Sequence, residues 1–169
     1  MLETALSIEA PWPDTTDWET LAQRAAAAAL SRTPHGELAT AAVSVEISVR
    51  LTTDDEIQTL NAQYRGKDKP TNVLSFPMVQ PDLLDGIANT DDGEVLLGDI
   101  ALAYSVCERE AAEKGISMED HATHLIVHGT LHLLGYDHLE DHEADAMEAI
   151  EIDALAALGL ADPYLIRED

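Results

Sequence analysis

The feature that most constrains this chain is a mostly apolar stretch that also carries many of its histidines, HLIVHGTLHLLGYDH, starting at His124. Six of the seven histidines lie between residues 121 and 142. Ser117 is a suitable N-cap before the apolar run, and Gly135 can adopt the left-handed conformation that ends a helix. The pattern therefore predicts one long helix over residues 118–134, with a turn of the chain directly after it.

Histidines four residues apart on this helix can share a metal ion. His128 and His132 lie on the same helix face, because residues four apart differ by about 40° in azimuth and about 6 Å along the axis. Gly135 then turns the chain and brings His138 round as a third imidazole, so the run reads H-G-x-x-H-x-x-G-x-x-H. Three neutral imidazoles leave a fourth position open for water, as in catalytic zinc sites. We predict one Zn²⁺ ion per chain, although imidazole also suits nickel, copper and iron.

Several other polar residues lie near this run, and their roles differ. His121 is two helical turns from His128, which is too far for it to bind the same ion. His124 is expected to pack or to hydrogen-bond, with service as a ligand as the alternative. Asp137 either orients an imidazole or a water molecule or caps the turn, and neither role is favoured. His142 and its acidic neighbours can also reach the ion, but we interpret them as the solvated start of the last helix. These neighbours are Glu140, Asp141 and Glu143.

The residue after the first predicted ligand bears on the type of reaction. The histidine spacing matches the metzincin zinc-protease pattern, in which that residue is a glutamate that acts as general base. Here it is Gly129, which has no side chain. A positioned general base is typically worth about 10²–10⁴-fold in rate, so peptide hydrolysis by the usual route is disfavoured. A metal ion can lower the pKa of its bound water to about 7 and can polarise a phosphoryl oxygen, so phosphodiester cleavage fits these residues better.

The rest of the chain mixes strand and helix patterns without regular alternation. The strongest strand signal lies in residues 41–51, where every second position is apolar: Val43, Val45, Ile47, Val49 and Leu51. Further strands are predicted at residues 2–8, 72–76 and 94–103, and further helices at residues 14–33, 52–64, 104–115 and 143–159. Residues 78–93 contain Pro, Gly and Asp, which predicts a mobile polar loop. This mixture predicts an α+β fold with a small mixed sheet packed with helices.

Composition limits the class of protein further. Asp and Glu number 33 against 9 Lys and Arg, and the resulting charge of −24, taken alone, argues against a nucleic-acid partner because phosphates are repelled. Cys107 is the single cysteine, which excludes an intrachain disulfide. The sequence contains no apolar run of about 18 residues and no signal-peptide pattern. We therefore expect one soluble, cytoplasmic domain over residues 1–169, with no membrane partner.

Three segments together resemble the signatures of one protein family. The segments are HGTLHLLGYDH at residues 128–138, LNAQYRGKDKPTNVLSFP at residues 60–77 and LLGDIALA at residues 96–103. The stretches THLIVHG and MEAIEIDALAALG also fit. With these motifs the chain resembles the YbeY family of bacterial rRNA-maturation endoribonucleases from about Val43 to Gly159.

The resemblance implies both a fold and an activity. It implies a zincin-like α+β fold with a metzincin-like metal helix. The activity is that of a single-strand-specific, metal-dependent endoribonuclease in 16S rRNA 3′-end maturation and ribosome quality control. The implied partners are precursor 16S rRNA and the small ribosomal subunit or its proteins, and no DNA is expected. By the same resemblance, His128, His132 and His138 hold zinc, and Arg65 is the functionally important arginine. Many family members have Asp after the Pro-Thr pair, where this chain has Asn72.

A small cationic segment gives Arg65 its context. Arg65, Lys67 and Lys69 place three of the chain's nine Lys and Arg residues within five positions. On composition alone this is an ordinary polar loop. The resemblance favours a second interpretation, in which the Arg65 guanidinium binds a phosphate with two parallel N–H donors. The two lysines would then contact flanking phosphates.

Two other functions remain open from the sequence. The first is another metal-dependent hydrolase, such as a peptidase with an unidentified base. The second is a non-catalytic ribosome-assembly factor whose metal is structural. Peptide-library cleavage separates the first from a ribonuclease, and ribosome co-sedimentation without any cleavage would identify the second.

Overall fold

The computed structural model describes residues 1–9, 11–87, 93–137 and 140–164. In chain order the strands and helices are β1 (Leu2–Ile8), α1 (Trp18–Ser31), β2 (Ser44–Thr52), α2 (Asp54–Arg65), β3 (Val73–Pro77), α3 (Leu84–Ile87), β4 (Glu94–Ala103), α4 (Tyr104–Lys114), α5 (Met118–Leu133) and α6 (Asp141–Ala157). Two 3₁₀ turns, Gly36–Ala39 and Pro81–Leu83, connect some of these elements.

The strands form one mixed sheet in the order β1-β2-β4-β3. β1, β2 and β4 run parallel, and β3 pairs antiparallel with β4 at one edge. In β2 the predicted alternation is observed, since Val45, Ile47, Val49 and Leu51 are all fully buried. The α+β class with a small mixed sheet is therefore confirmed.

Both faces of the sheet are covered where α5 and α2 pack on it. On β4, Ile100 and Leu102 belong to the main core, while Ala101 and Ala103 belong to a smaller core with Ile57 of α2. Since successive strand residues point to opposite faces, these two cores lie on opposite sides of the sheet. The main core lies between the sheet and the helices α1 and α5.

Helix α5 is the central helix of the main core. It packs against α1, α4 and α6 as well as against β3 and β4, and most of its residues are buried. The Ser117 hydroxyl accepts a hydrogen bond from the Asp120 backbone N–H (3.1 Å), as expected of an N-cap. Because the helix is buried, the imidazoles on it have to find their hydrogen-bond partners inside the protein.

Two glycines let α5 approach the sheet closely. Gly98 of β4 has φ +157°, and a Cβ added there would lie 2.4 Å from the Phe76 carbonyl oxygen and 2.5 Å from Leu133 Cδ2. A Cβ added to Gly129 of α5 would lie 3.0 Å from Ile100 Cγ2. All three distances are shorter than ordinary van der Waals contacts, so a side chain at either position would push the helix and the sheet apart.

One expectation from the sequence is wrong. Residues 78–93 were expected to be a polar loop, but Pro81–Leu83 form a 3₁₀ turn and Leu84–Ile87 form the short helix α3. Leu84 is 1% exposed and packs in the main core, whereas Leu83 is 58% exposed. Ile87 is buried in the same core, so apolar burial accompanies the helical turns of this segment despite its Pro, Gly and Asp residues. Residues 88–92 of the same segment lie outside the described part.

The described residues include no helix that is both long and apolar enough to span a bilayer.

Candidate metal centre

The first two predicted ligands point at the same place. His128 and His132 lie one turn apart near the end of α5, and their Nε2 atoms are 3.0 Å apart. Two nitrogens that each lie about 2.0–2.1 Å from a tetrahedral zinc ion are about 3.3 Å from each other. The observed separation is close to this value.

The opposite ring nitrogens define the protonation of this pair. His128 Nδ1 is hydrogen-bonded to the carboxylate of Glu151, and His132 Nδ1 is 2.8 Å from the carbonyl oxygen of Tyr136. Because both oxygens are acceptors, each Nδ1 carries the proton and donates it. In the neutral rings each Nε2 then has a lone pair, so the two close nitrogens suit one shared cation and not a hydrogen bond between them. The residues therefore fit a bound metal ion.

The end of α5 places the second of these acceptors. Gly135 has φ 98° and turns the chain, as the sequence predicted. The Tyr136 N–H returns to the Leu131 carbonyl oxygen (3.1 Å), which is the long hydrogen bond of a Schellman motif. The same turn presents the Tyr136 carbonyl oxygen to His132. The glycine thus ends the helix and also orients a predicted ligand.

The third predicted ligand, His138, lies outside the described residues. Asp137, directly before it, lines a cavity of about 380 Å³ together with His128 and His132. Whether Asp137 orients an imidazole or caps the turn stays a prediction.

Arg65 lines the same cavity as the histidine pair. It is the last residue of α2, and the helix ends at Gly66 in the left-handed conformation (φ 69°). The loop that follows is fixed by the buried Asn61, whose amide donates to the Lys69 carbonyl oxygen (2.8 Å). In the described part of the chain, no salt bridge is formed by the predicted phosphate-binding side chains, namely Arg65, Lys67 and Lys69.

Position 129, where a metzincin has its general-base glutamate, faces the sheet in this fold. Gly129 lies against Ile100 on β4, and Ile100 is fully buried. A glutamate at position 129 would therefore project into the sheet. A glycine at position 129 thus has a packing reason in this fold, in addition to removing the general base that peptide hydrolysis would use.

Asn72 belongs to a small polar network. Its amide nitrogen donates to Glu110 Oε1 (3.0 Å), and the same oxygen lies 2.9 Å from Nε2 of the buried His121. An amide can donate here, whereas a carboxylate would face the Glu110 carboxylate and repel it. Burial lowers the pKa of His121, although the hydrogen bond to Glu110 opposes this effect. His121 is thus a core residue; the sequence predicted only that it lies too far from His128 to bind the same ion.

Sequence reasoning missed the residues behind the histidine pair. Glu151 of α6 is completely buried, and it accepts hydrogen bonds from His128 Nδ1 and from the Tyr164 hydroxyl. His124 is also buried here, with its Nε2 3.8 Å from Glu151 Oε1. A signal for Glu151 exists in the sequence, because the residue lies four positions from both Met147 and Leu155, which are buried on the same face of α6. A glutamate in an apolar helical stripe requires a buried partner.

A second group of possible ligands is exposed at the start of α6. Donor atoms of Glu140, His142 and Glu143 lie within 4.8 Å of one another. His142 and Glu140 are 77% and 68% exposed, and their ring nitrogen and carboxylate are 3.5 Å apart. This agrees with their interpretation as the solvated start of the last helix.

A second cavity, of about 680 Å³, is larger than the one lined by the histidine pair. It lies between the turn after α4 and residues 160–164, and its lining includes His124 and Tyr164. The converging imidazoles line the smaller cavity together with Arg65.

Comparison with known proteins decides the family. The family model described as "Endoribonuclease YbeY" matches residues 9–159. The chain belongs to the endoribonuclease YbeY family. The family match thus extends further toward the N-terminus than the motifs found in the sequence. The family resemblance predicted from the three motifs is confirmed, and with it the enzyme class.

Individual relatives cover nearly the whole chain. A protein named endoribonuclease YbeY from Rhizorhabdus wittichii is 64% identical over 100% of both chains. Proteins of the same name from Sphingopyxis alaskensis and Zymomonas mobilis are 61% and 49% identical, and cover 97% and 99% of this chain and 98% and 96% of their own. The solution structure of a Thermotoga maritima protein matches with a TM-score of 0.53 at 24% identity, over 98% of this chain and 100% of that one. This last match supports the fold alone.

Proposed function

We propose that this chain is a single-strand-specific, metal-dependent endoribonuclease that acts in 16S rRNA 3′-end maturation and ribosome quality control. Membership of the endoribonuclease YbeY family supports the reaction class. The observation that carries the metal dependence is the 3.0 Å approach of two imidazole Nε2 atoms whose Nδ1 atoms are both hydrogen-bonded to oxygen. We further propose that residues 1–169 act as one domain in the cytoplasm.

The proposed cofactor is one Zn²⁺ ion per chain, held by His128, His132 and His138. Nitrogen donors with oxygen partners on their second ring nitrogens are typical of zinc sites. When bound, a zinc ion supplies Lewis acidity, which makes water a better nucleophile near neutral pH and polarises a phosphoryl oxygen. The chain's own part includes the orientation of the His132 imidazole by the Tyr136 carbonyl oxygen.

Arg65 is the proposed phosphate clamp. Its guanidinium can donate two parallel hydrogen bonds to the nonbridging oxygens of the scissile phosphate. These donors stabilise the negative charge that develops on the phosphoryl oxygens during attack. Its position on the wall of the cavity that contains His128 and His132 supports this role.

The net charge of −24 requires a local explanation for RNA binding. The end of α2 and the loop after it present Arg65, Lys67 and Lys69 on an exposed surface, and Asn61 holds this loop in place. We propose that this cationic segment contacts the RNA backbone, and that the small ribosomal subunit or its proteins deliver the substrate. The cationic side chains attract RNA phosphates strongly at short range, whereas repulsion of the RNA by the acidic remainder of the surface is screened beyond about 8–10 Å at physiological salt.

The experiment compares metal content and RNA cleavage in four proteins: wild type, His132→Ala, Arg65→Gln and Arg24→Gln. The substrate is a single-stranded RNA with the 3′-end sequence of precursor 16S rRNA, and a DNA of the same sequence serves as a second substrate. Arg24 is exposed on α1, so its replacement changes the net charge equally without touching the cavity. It is therefore the matched control for the general loss of one cation.

We expect zinc and cleavage to be lost together in His132→Ala. Arg65→Gln should keep its zinc and lose about 10²-fold or more in cleavage rate, the scale typical of a donor that stabilises developing charge. Arg24→Gln should behave as wild type, and DNA should stay intact. Zinc-loaded wild type that leaves RNA uncut while cutting peptides would refute the proposal in favour of a peptidase. Equal losses in the two arginine variants would remove the specific role of Arg65.

A further inference from the structure

The carboxylate of Glu151 occupies an unusual position for a charged group. Its side chain is 0% exposed, in the main interface between α6 and α5. Within the described residues no lysine or arginine forms a salt bridge with it. A buried carboxylate without a cationic partner is costly, so its neighbours have to supply compensation.

Both carboxylate oxygens have a hydrogen-bond donor. Oε1 accepts from Nδ1 of His128, and Oε2 accepts from the hydroxyl of Tyr164, a residue beyond the end of α6. The Nε2 atom of His124 lies 3.4 Å from the Tyr164 hydroxyl and 3.8 Å from Oε1. The carboxylate thus links the metal helix α5 with the segment after α6.

We propose that Glu151 is a positioning residue for the metal centre, and that Tyr164 holds the Glu151 carboxylate in place. This inference rests on the proposed function, because it requires that His128 and His132 bind a metal ion. Glu151 acts through His128: by accepting its Nδ1 proton, it fixes the tautomer in which Nε2 has the lone pair. Carboxylate–histidine pairs of this kind orient the ring and raise the basicity of the ligand nitrogen.

Charge balance points in the same direction. Within the described residues no lysine or arginine pairs with Glu151, so the positive charge of a divalent ion on the other side of the His128 ring would compensate the buried anion. Burial and the neighbouring Glu151 carboxylate raise the pKa of Tyr164, which keeps its hydroxyl protonated as a donor.

The test measures the affinity for the metal alone, without any substrate. Purified wild type, Glu151→Gln, Tyr164→Phe and Asp153→Asn are stripped of metal and titrated with Zn²⁺ against a competing chelator, and with Co²⁺ by visible absorption. Glu151→Gln keeps the volume and an acceptor for His128 but removes the charge. Asp153 is an exposed carboxylate on the same helix, so Asp153→Asn is the matched control. Circular dichroism of the metal-free proteins checks that each variant is folded.

We expect Glu151→Gln to bind Zn²⁺ about 10- to 100-fold more weakly than wild type, the range typical for loss of such a partner. Its Co²⁺ absorption bands should also shift, which a purely structural role would not cause in a folded protein. Tyr164→Phe should bind about twofold to tenfold more weakly, because the carboxylate loses one donor. Asp153→Asn should match wild type.

Wild-type affinity and an unchanged Co²⁺ spectrum in folded Glu151→Gln would overturn the inference. If Glu151→Gln does not fold, Tyr164→Phe decides, since Tyr164 is 40% exposed and loses only a hydroxyl: weaker binding supports the inference and unchanged binding refutes it. Failure of the proposed function gives a different result, namely wild type that binds no metal or His132→Ala that binds it equally well.

Discussion

The contact between Gly129 and Ile100 gives a prediction whose sign depends on tertiary packing. In an isolated helix, replacing a central glycine with alanine stabilises by about 1 kcal/mol, because the backbone loses less conformational freedom on folding. Here the new Cβ would lie 3.0 Å from Ile100 Cγ2 and 3.2 Å from its Cδ1 and Cγ1. Overpacking of a buried site typically costs about 1–3 kcal/mol. We therefore expect Gly129→Ala to lower the free energy of unfolding by about 0–2 kcal/mol.

Removal of the neighbouring side chain should reverse this sign. Ile100→Ala alone should destabilise the protein by about 2–5 kcal/mol, as truncation of a buried isoleucine does. It also removes all three atoms that the alanine at position 129 would meet. In the Ile100→Ala background, Gly129→Ala should therefore stabilise by about 1 kcal/mol, the value of its helix propensity. The coupling energy between the two positions should be about 1–3 kcal/mol.

Urea unfolding of the four metal-free proteins at one pH measures this cycle. Metal-free protein is required because Gly129 directly follows a predicted ligand, and bound metal would add its own stabilisation. Equal and stabilising effects of Gly129→Ala in both backgrounds would contradict the close helix–sheet contact. They would also remove the packing reason for a glycine at this position.

Two further predictions concern the core. Burial lowers the pKa of His121 in the folded state below its ordinary value of 6.5. At a pH below about 6.5 the unfolded chain therefore binds more protons at this residue than the folded protein does. The stability that depends on His121 is present above about pH 6.5 and is lost as the pH falls. The difference in unfolding free energy between wild type and His121→Gln should therefore shrink from pH 7.5 to pH 5. A constant difference would count against a buried neutral imidazole. Replacement of the exposed His142 (His142→Gln) is the control. Leu84→Ala should lower the unfolding free energy by about 2–5 kcal/mol, against less than about 0.5 kcal/mol for the exposed Leu83→Ala. Equal effects of the two leucines in urea unfolding would mean that α3 does not pack in the core.

Much of the local structure follows from short patterns in the sequence. The alternation of apolar residues in β2, the N-cap Ser117 and the glycine after α5 each act within a few residues, so their consequences can be predicted without the fold. The same holds for the direction of His128 and His132, since both lie on one helix and helical geometry fixes their separation. Helix boundaries are less well specified by such patterns: the helix predicted from residue 14 begins at Trp18 with Asp17 as its N-cap, because residues from Asp14 onward offer several possible caps.

The segment around α3 shows where local patterns were insufficient. Residues 81–87 have the composition of a loop, yet Leu84 packs in the main core and the chain forms helical turns there. Whether a single leucine is buried depends on the space that other elements leave. Turn-forming residues therefore predict a loop correctly only where the rest of the fold leaves no space for the apolar side chains nearby.

The sequence by itself determined the histidine spacing, the end of helix α5 and the family to which the chain belongs. Only the tertiary structure decided that Glu151, 23 residues beyond His128, and Tyr164 supply the partners behind that imidazole. It also decided that Gly129 faces Ile100 of β4. The physical reason is that a helix specifies its own geometry through contacts four residues apart, whereas a buried hydrogen bond between two helices exists only once both have packed on the same core.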